Sequence, residues 1–156
     1  MKKFISALLF AGAVAWVSCG GSPKQPAGSE QGKRSATHTK VLTKAEFLQK
    51  IVDFETSPNE WNYLGDKPAI IDFYADWCGP CQALAPILEA LAAEYEGRID
   101  VYKVNTDKEK ALASAFGIKT IPFLLFIPMN GPPQKAEGII PKAGIKEVIE
   151  SILLKE

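Results

Sequence analysis

The sequence DFYADWCGPC, residues 72–81, is the stretch that decides the fold. It joins the end of a nearly continuous apolar run, residues 69–75, to a C-x-x-C pair formed by Cys78 and Cys81. An apolar run of this length is typical of a strand covered on both faces, as in a central parallel sheet. Apolar side chains then recur at helical spacing over residues 79–96, so the pair lies where a strand gives way to a helix.

Cys78 is the expected nucleophile because it stands at the start of this helix. Free backbone N–H groups and the positive end of the helix dipole both stabilise a thiolate there. Cys81 lies one turn further along, close enough to form a disulfide with Cys78 and too buried to attack a substrate directly. Gly79 permits the tight turn, and Pro80 fits the first turn of a helix, where its missing N–H costs nothing.

Three other uses of a C-x-x-C pair fit this sequence less well. A structural zinc site needs four ligands, whereas the only histidine, His38, lies in a polar segment away from the pair. Covalent haem attachment needs a histidine directly after the second cysteine, where Gln82 stands. A purely structural disulfide would close too short a loop to add much stability. We therefore expect redox chemistry of the two sulfurs, with no metal and no organic cofactor.

A first helix, the central strand and the helix that carries Cys81 are predicted in the first half of the domain. A capping-box sequence, Thr43 to Glu46, opens an amphipathic helix that is expected to run to about Phe54. A turn-rich passage, residues 57–67, separates this helix from the strand. In the helix that carries Cys81, Pro86 removes a backbone hydrogen bond and is expected to produce a kink.

The segments that follow continue the alternation and end in a hairpin. Residues 99–104 are predicted as a strand, and Asp107 as the cap of a short helix that Gly117 terminates. The remaining predicted elements are a strand at 123–127, its antiparallel partner at 134–140 and a last helix at 142–154. Strands that alternate with helices and then form a hairpin imply an α/β fold, a mixed sheet with helices on both faces.

Residues 1–18 have the features of a secretory signal peptide. Lys2 and Lys3 precede an apolar stretch from Phe4 to Val17. These fourteen residues reach only about 21 Å as a helix, short of the roughly 30 Å hydrocarbon core of a membrane. A permanent spanning helix is therefore the weaker alternative.

The end of this stretch resembles a bacterial lipoprotein signal. In that class of protein a small residue precedes a cysteine that is lipidated and becomes the new N-terminus, and Ser18 precedes Cys19 here. Ordinary cleavage after Ala15 is the alternative, because Ala13-Val14-Ala15 fits the small-x-small rule, and it would release a soluble exported protein. Lipidation gives the third cysteine a role, so we expect a membrane anchor at Cys19.

Residues 19–39 are therefore predicted to hold the anchor cysteine and a flexible linker. The linker has no aliphatic run and cannot bury enough apolar surface to offset its ordering entropy; His38 is expected to be solvated. Residues 40–156 form one domain. Basic and acidic side chains number 18 each, and removal of residues 1–18 leaves 16 basic against 18 acidic. Without a basic stripe, no binding to nucleic acid is expected.

Residues 68–127 resemble thioredoxin, and the similarity extends more loosely from about residue 41 to the C-terminus. The DFYADWCGPC stretch, Pro86 and the dipeptide Ile121-Pro122 all stand at thioredoxin-like positions. The resemblance implies the thioredoxin fold for residues 40–156, a central mixed β-sheet flanked by helices on both faces. It also implies a redox disulfide between Cys78 and Cys81.

Asp72 and Lys103 gain roles from the same resemblance. The family aspartate that Asp72 matches is buried beneath the second cysteine and helps to move a proton to or from its thiol. The physical argument agrees, because desolvation within a doubly covered strand raises the pKa of a carboxyl towards the range useful in acid–base catalysis. Lys103 matches the family lysine near this carboxylate; a simple surface lysine is the alternative.

The resemblance further implies a cis Ile121–Pro122 bond and a docking patch for protein substrates. The family's cis-proline lies against the active-site sulfurs and guides pairing with the substrate backbone. The residues expected to bind substrate are Trp77, Gly79, Pro80, Ile121, Pro122, Gly138 and Ile139. Phe123 departs from the family pattern, which usually has threonine after this proline, and is expected to affect substrate preference rather than mechanism.

The sequence thus predicts a monomeric disulfide reductase outside the cytoplasm, in the periplasm. Gly79-Pro80 between the cysteines and Ile121 before the proline resemble the reducing members among exported relatives. A disulfide oxidase or isomerase, or a thiol reductant for cytochrome c maturation, remains the enzymatic alternative. A non-catalytic binding module is the alternative from another class. Expected partners are protein disulfides, a membrane dithiol donor for recharging, and the membrane itself through Cys19.

Overall fold

A five-stranded mixed sheet forms the centre of the computed structural model, which describes residues 37–155. The elements in chain order are β1 (Lys40–Val41), α1 (Lys44–Lys50), β2 (Ala69–Tyr74), α2 (Gly79–Glu94), β3 (Asp100–Asn105), α3 (Lys110–Ala115), β4 (Phe123–Ile127), β5 (Gln134–Glu137) and α4 (Lys142–Val148), which continues into a π-helical turn (Ile149–Leu153). The strands lie in the order β1-β3-β2-β4-β5. β1, β3 and β2 are parallel, whereas β4 is antiparallel to both β2 and β5.

The sheet separates two apolar cores. Every residue of β4 is buried, and its side chains alternate between the two faces, as the period of a strand requires. Leu125 belongs to the core that α1 and α3 cover, through Phe47 and Leu112. Leu124 belongs to the core that α2 and α4 cover, through residues such as Leu88 and Ile145. The predicted mixed sheet with helices on both faces is therefore confirmed.

The helix starts and stops agree only in part with the sequence. Thr43 forms the predicted capping box with Glu46, but α1 ends at Lys50 rather than near Phe54. Asp53 accepts hydrogen bonds from the backbone N–H groups of the next turn, 55 and 56, which turns the chain. Phe54 still packs edge-on against Phe47, at 6.1 Å between ring centroids. Its apolar character therefore reflects aromatic packing and not a longer helix.

Asp107 does not cap α3, which is a correction to the prediction. The Oδ1 atom of Asn105 instead accepts hydrogen bonds from the backbone N–H groups of Asp107 and Lys108, at 3.0 and 3.2 Å. The helix begins at Lys110, without a side-chain cap. Its predicted end is confirmed: Gly117 has φ +65°, and the N–H groups of residues 117 and 118 return to the carbonyls of residues 114 and 113. This pattern closes a helix with a left-handed glycine.

The other elements show smaller differences. Pro86 lies inside α2, which continues across it as one helix from Gly79 to Glu94. β5 ends at Glu137 rather than at residue 140, because Gly138 adopts φ +81° and its N–H donates to the carbonyl of Pro122. The last helix changes to π-helical hydrogen bonding for its final turn.

His38 and Thr39, predicted as the last residues of the flexible linker, are held against α2. The N–H of Thr39 donates to Glu89 Oε2 at 3.1 Å, and its hydroxyl donates to the same oxygen at 2.7 Å. The N–H of His38 donates to the other oxygen of Glu89, and its imidazole lies against the same carboxylate. His38 is therefore held against α2 and is not a freely solvated linker residue. We call this contact the Glu89 clamp.

The predictions made for the N-terminal segment lie outside the described residues. They comprise the signal peptide at 1–18, cleavage after Ala15, lipidation of Cys19 and the linker up to residue 36. Within residues 37–155, no helix combines the length and the apolar character needed to cross a membrane.

Candidate active site

Cys78 and Cys81 form a disulfide at the start of α2. The S–S distance is 2.10 Å and the two Cα atoms are 5.2 Å apart. Cys78 is the N-cap residue, and its Sγ accepts a hydrogen bond from the backbone N–H of Cys81 at 3.2 Å. Pro80 lies in the first turn, where it interrupts no helical hydrogen bond. In the reduced protein the same N–H and the helix dipole favour a thiolate at Cys78 over one at Cys81.

Burial does not distinguish the two cysteines in the disulfide form. Cys78 is 4% exposed and Cys81 is 3% exposed. The expectation that Cys81 alone is shielded is therefore not met, because the two bonded sulfur atoms shield each other from solvent. The two residues differ in their surroundings: Cys78 caps the helix, whereas Cys81 lines a groove together with Tyr74 and Lys103.

Asp72 is fully buried in the middle of β2. Neither carboxylate oxygen has a hydrogen-bond partner among residues 37–155. Burial raises the pKa of Asp72 to about 6, because removing the carboxylate from water penalises its charged form, and the positive charge of Lys103 opposes this rise. A carboxyl group with this pKa can accept and release a proton near neutral pH.

Lys103 lies directly beside Asp72, because the two residues are register partners on the parallel strands β3 and β2. Its Nζ atom is 4.4 Å from the ring centroid of Tyr74. Lys103, Tyr74 and Cys81 line one groove of about 280 Å³ together with Ala75, Asp76, Gln82 and Ala85. The groove gives solvent a route towards the second cysteine.

Next to the disulfide, the large side chain of Trp77 is strongly exposed to solvent. It is 72% exposed, and its Nε1–H donates to the Oδ2 atom of Asp107 at 2.8 Å. An exposed indole fixed by one hydrogen bond presents a rigid apolar surface at low entropic cost. Asp107 thereby positions the ring that borders Cys78.

The Ile121–Pro122 peptide bond is cis, as the resemblance implies. Ile121 packs against the apolar cluster formed by Ala75, Cys78 and Cys81. The carbonyl of Pro122 accepts the hydrogen bond from Gly138 at 2.8 Å, which holds the start of β4 to the end of β5. Ile139 follows and is 54% exposed.

A family model described as thioredoxin matches residues 38–151. The chain belongs to the thioredoxin family. The match begins at His38, within the Glu89 clamp, and ends in the π-helical turn, so it spans the domain that the structure describes.

Curated relatives and a solved structure agree with this assignment. The chain is 46% identical over 109 residues to the thioredoxin of Borreliella burgdorferi, an alignment covering 70% of this chain and 92% of that protein. It is 35% identical over 127 residues to the chloroplastic M-type thioredoxin of Spinacia oleracea, covering 80% and 70% of the two chains. The crystal structure of chloroplastic thioredoxin z matches with a TM-score of 0.63 and 29% identity, over 75% of this chain and 96% of that one.

Thioredoxins are thiol–disulfide oxidoreductases, and this chain is one of them. The Cys78–Cys81 pair fits the C-x-x-C active site of the family. The structure joins Ile121 to the two cysteines in one apolar cluster and places Cys81 and Lys103 on one groove. Gly79 and Pro80 are exposed in the first turn of α2. Their parts in substrate binding, with those of Trp77, Pro122, Gly138 and Ile139, stay predictions.

Sequence reasoning missed two residues of the site. Asp107 was assigned to a helix cap, although its carboxylate bonds to Trp77, 30 positions earlier in the chain. Tyr74 was taken only as part of the strand, although its ring faces the ammonium of Lys103. The alternation along β2 could have indicated the second contact, because Asp72 and Tyr74 share a face two residues apart. Within residues 37–155 no three metal-ligating side chains cluster.

Proposed function

We propose that this thioredoxin reduces disulfide bonds of proteins outside the cytoplasm. The observation that carries the proposal is the Cys78–Cys81 pair at the start of α2, with the exposed ring of Trp77 beside it. A nucleophilic sulfur next to a rigid apolar surface suits an extended protein segment that carries a disulfide. Gly79 and Pro80 between the cysteines, together with relatives named thioredoxin, support reduction as the direction.

The proposed reaction is two successive thiol–disulfide exchanges. The Cys78 thiolate attacks one sulfur of the substrate disulfide, forms a mixed disulfide and releases the other substrate sulfur as a thiolate. The Cys81 thiol then gives its proton to the carboxylate of Asp72 and attacks Cys78 Sγ, which releases the second substrate thiolate. Two electrons pass from the enzyme to the substrate, and the Cys78–Cys81 disulfide remains.

We also propose that the chain is exported and held to a membrane by lipid on Cys19. The basic, apolar and small-residue pattern of positions 1–18 and the cysteine that follows support this location. No cytosolic reductant reaches an exported domain directly, so a membrane dithiol protein would recharge the pair. The domain acts as a monomer, because one chain carries both sulfurs and the buried carboxylate.

The direction of electron flow is tested by the reduction potential of the pair. The protein is equilibrated with dithiothreitol or glutathione, and the fraction of disulfide is measured. A potential near −270 mV, about that of thioredoxin, supports a reductant. A potential of about −180 to −120 mV belongs to isomerases and oxidants and would reverse the proposal. Insulin-disulfide reduction is measured beside it, and turnover that persists unchanged in Cys78→Ser would contradict the catalytic assignment.

The location is tested on the native protein by mass spectrometry of its N-terminus. A diacyl- or triacyl-modified Cys19 is expected, with Cys19→Ser as the matched control that loses both the lipid and membrane association. An unmodified terminus at Trp16, produced by cleavage after Ala15, contradicts lipidation and leaves a soluble exported protein.

A further inference from the structure

The ammonium of Lys103 is held by an aromatic ring rather than by a carboxylate. Its Nζ atom lies 4.4 Å from the ring centroid of Tyr74, within the range of a cation–π interaction. Within residues 37–155 Lys103 forms no ion pair. The position of this cation therefore depends on the position of the ring.

The ring of Tyr74 is itself fixed by its surroundings. Tyr74 is the last residue of β2, and its carbonyl accepts two hydrogen bonds from Thr106, from the backbone N–H at 2.8 Å and from Oγ1 at 3.1 Å. Its side chain packs against the apolar cluster that contains Cys78 and Cys81. The strand end and the redox pair thus hold the ring in one place.

Among residues 37–155, Lys103 is the one charged group that shifts the pKa of Asp72. Lys103 faces Asp72 from β3, and on the opposite side the register partner from β4 is the apolar Leu124. The element that follows β2 contributes the two cysteines, which carry no charge in the disulfide form. Burial raises the pKa of Asp72 and Lys103 lowers it. Any movement of this ammonium is therefore expected to change the pKa of Asp72.

We propose that Tyr74 is a positioning residue for the resolving step of the reaction. Its ring holds the Lys103 ammonium at the groove beside Cys81, and this sets the pH range over which Asp72 can take the proton of the Cys81 thiol. The proton passes from Cys81 Sγ to Asp72, the Cys81 thiolate attacks the mixed disulfide, and the protonated Asp72 afterwards releases its proton to solvent. The inference rests on the acid–base role proposed above for Asp72.

The test measures the titration of the Asp72 carboxyl by carbon-13 NMR in the disulfide form, where no turnover is needed. Tyr74→Leu should raise the midpoint by about half a pH unit or more, because the ammonium can then swing into solvent and stabilises the carboxylate less. Tyr74→Phe keeps the ring and should titrate as the wild type does. A wild-type midpoint in Tyr74→Leu, or an equal shift in Tyr74→Phe, would overturn the inference.

The Lys103→Gln background separates the cation from a general effect of burial. Lys103→Gln alone should raise the midpoint of Asp72, and adding Tyr74→Leu should cause no further shift. If Tyr74→Leu raises it as much in this background as in the wild type, the ring acts through burial and the inference fails. The pH profile of insulin reduction should move to higher pH in Tyr74→Leu by the same amount as the titration.

One readout requires no variant and covers the case in which Tyr74→Leu fails to fold. In the wild-type protein the ε-methylene protons of Lys103 should resonate upfield of other lysines, because they lie in the ring current of Tyr74. Unshifted protons would contradict the contact. Absence of insulin reduction by the wild type would count against the proposed function and leave the titration results valid, so the two failures are distinguishable.

Discussion

Asp72 imposes a pH-dependent cost on the folded protein. Its pKa is raised from 3.8 to about 6, so the folded state binds this proton more tightly than the unfolded chain does. Stability is therefore highest below about pH 4 with respect to this group and falls as pH rises through about 6. The two pKa values differ by about 2 units, which corresponds to about 3 kcal/mol of unfolding free energy.

Asp72→Asn should remove that pH dependence. We expect the unfolding free energy of the variant, relative to wild type, to rise by about 3 kcal/mol between about pH 4 and about pH 8. Urea unfolding at the two pH values measures the difference. Asp76→Asn, at an exposed position next to the same strand, is the matched control for loss of a carboxylate. An equal change in both variants would contradict a special environment at Asp72.

Cys81→Ser should trap the reaction halfway. Cys78 can still attack a substrate disulfide, but residues 37–155 then hold no second thiol to release the product. A covalent adduct between enzyme and substrate should accumulate on a non-reducing gel and disappear with dithiothreitol. Cys78→Ser should form no adduct under the same conditions. If the adduct appears in Cys78→Ser and not in Cys81→Ser, the two roles are reversed.

The contacts at the site differ in how far the sequence reveals them. The cysteine pair, the buried Asp72 and the dipeptide Ile121-Pro122 belong to short local patterns, so they could be predicted. The bond between Trp77 and Asp107 could not, because it joins residues on different elements and depends on the turn that Asn105 makes. Either Asn105 or Asp107 could cap a turn by composition, and only the tertiary position of Trp77 decides between them.

At the level of elements, the start of α1 was easier to predict than its end, whereas for α3 the end was predicted and the start was not. The capping box of α1 satisfies backbone N–H groups within four residues, so it can be predicted from the local sequence pattern. The end of α1 depends on packing, since Phe54 leaves the helix and still reaches the rings of Phe47 and Phe116. An apolar residue in helical register does not reveal which of these it will do.

The capping box itself gives a prediction for α1. Thr43→Ala should lower the unfolding free energy by about 1 kcal/mol, because the side-chain acceptor for the N–H of Glu46 is lost. Thr43→Ser retains the hydroxyl and should recover most of the loss. Chemical denaturation measures both, and the redox potential should stay unchanged because α1 does not touch the cysteines. Equal losses in the two variants would mean that the methyl group, not the hydrogen bond, matters.

For the whole molecule, the shared sheet should make the two cores unfold together. Leu124 and Leu125 are adjacent on β4 and fully buried, yet they belong to opposite cores. Each change to alanine should cost about 2–5 kcal/mol, and unfolding should remain one cooperative transition. Val41→Ala, at a position 67% exposed, is the control and should cost far less. Two separate transitions in either leucine variant would show that the cores are independent.

Neither the strand order nor the short strand β1 could be predicted from the sequence, although the four longer strands and the four helices could. β1 contains only two residues, and its pairing with β3 is fixed by tertiary contacts such as the ion pair of Lys40 with Asp100. A segment so short carries no periodic pattern. Its place at the edge of the sheet follows from the fold and not from its own residues.

The Glu89 clamp and the Cys78–Cys81 disulfide lie at opposite ends of the domain. Glu89 lies eleven residues after Cys78 on α2, about 16 Å along the helix axis, so the chain enters at the end of the sheet remote from the disulfide. A domain anchored to a membrane through its N-terminal end would therefore present the disulfide on the side away from that membrane. Soluble substrates could meet it in that orientation, whereas a donor embedded in the same membrane could meet it only when the domain turns over. Renewal of the dithiol would then require a tether that lets the domain turn.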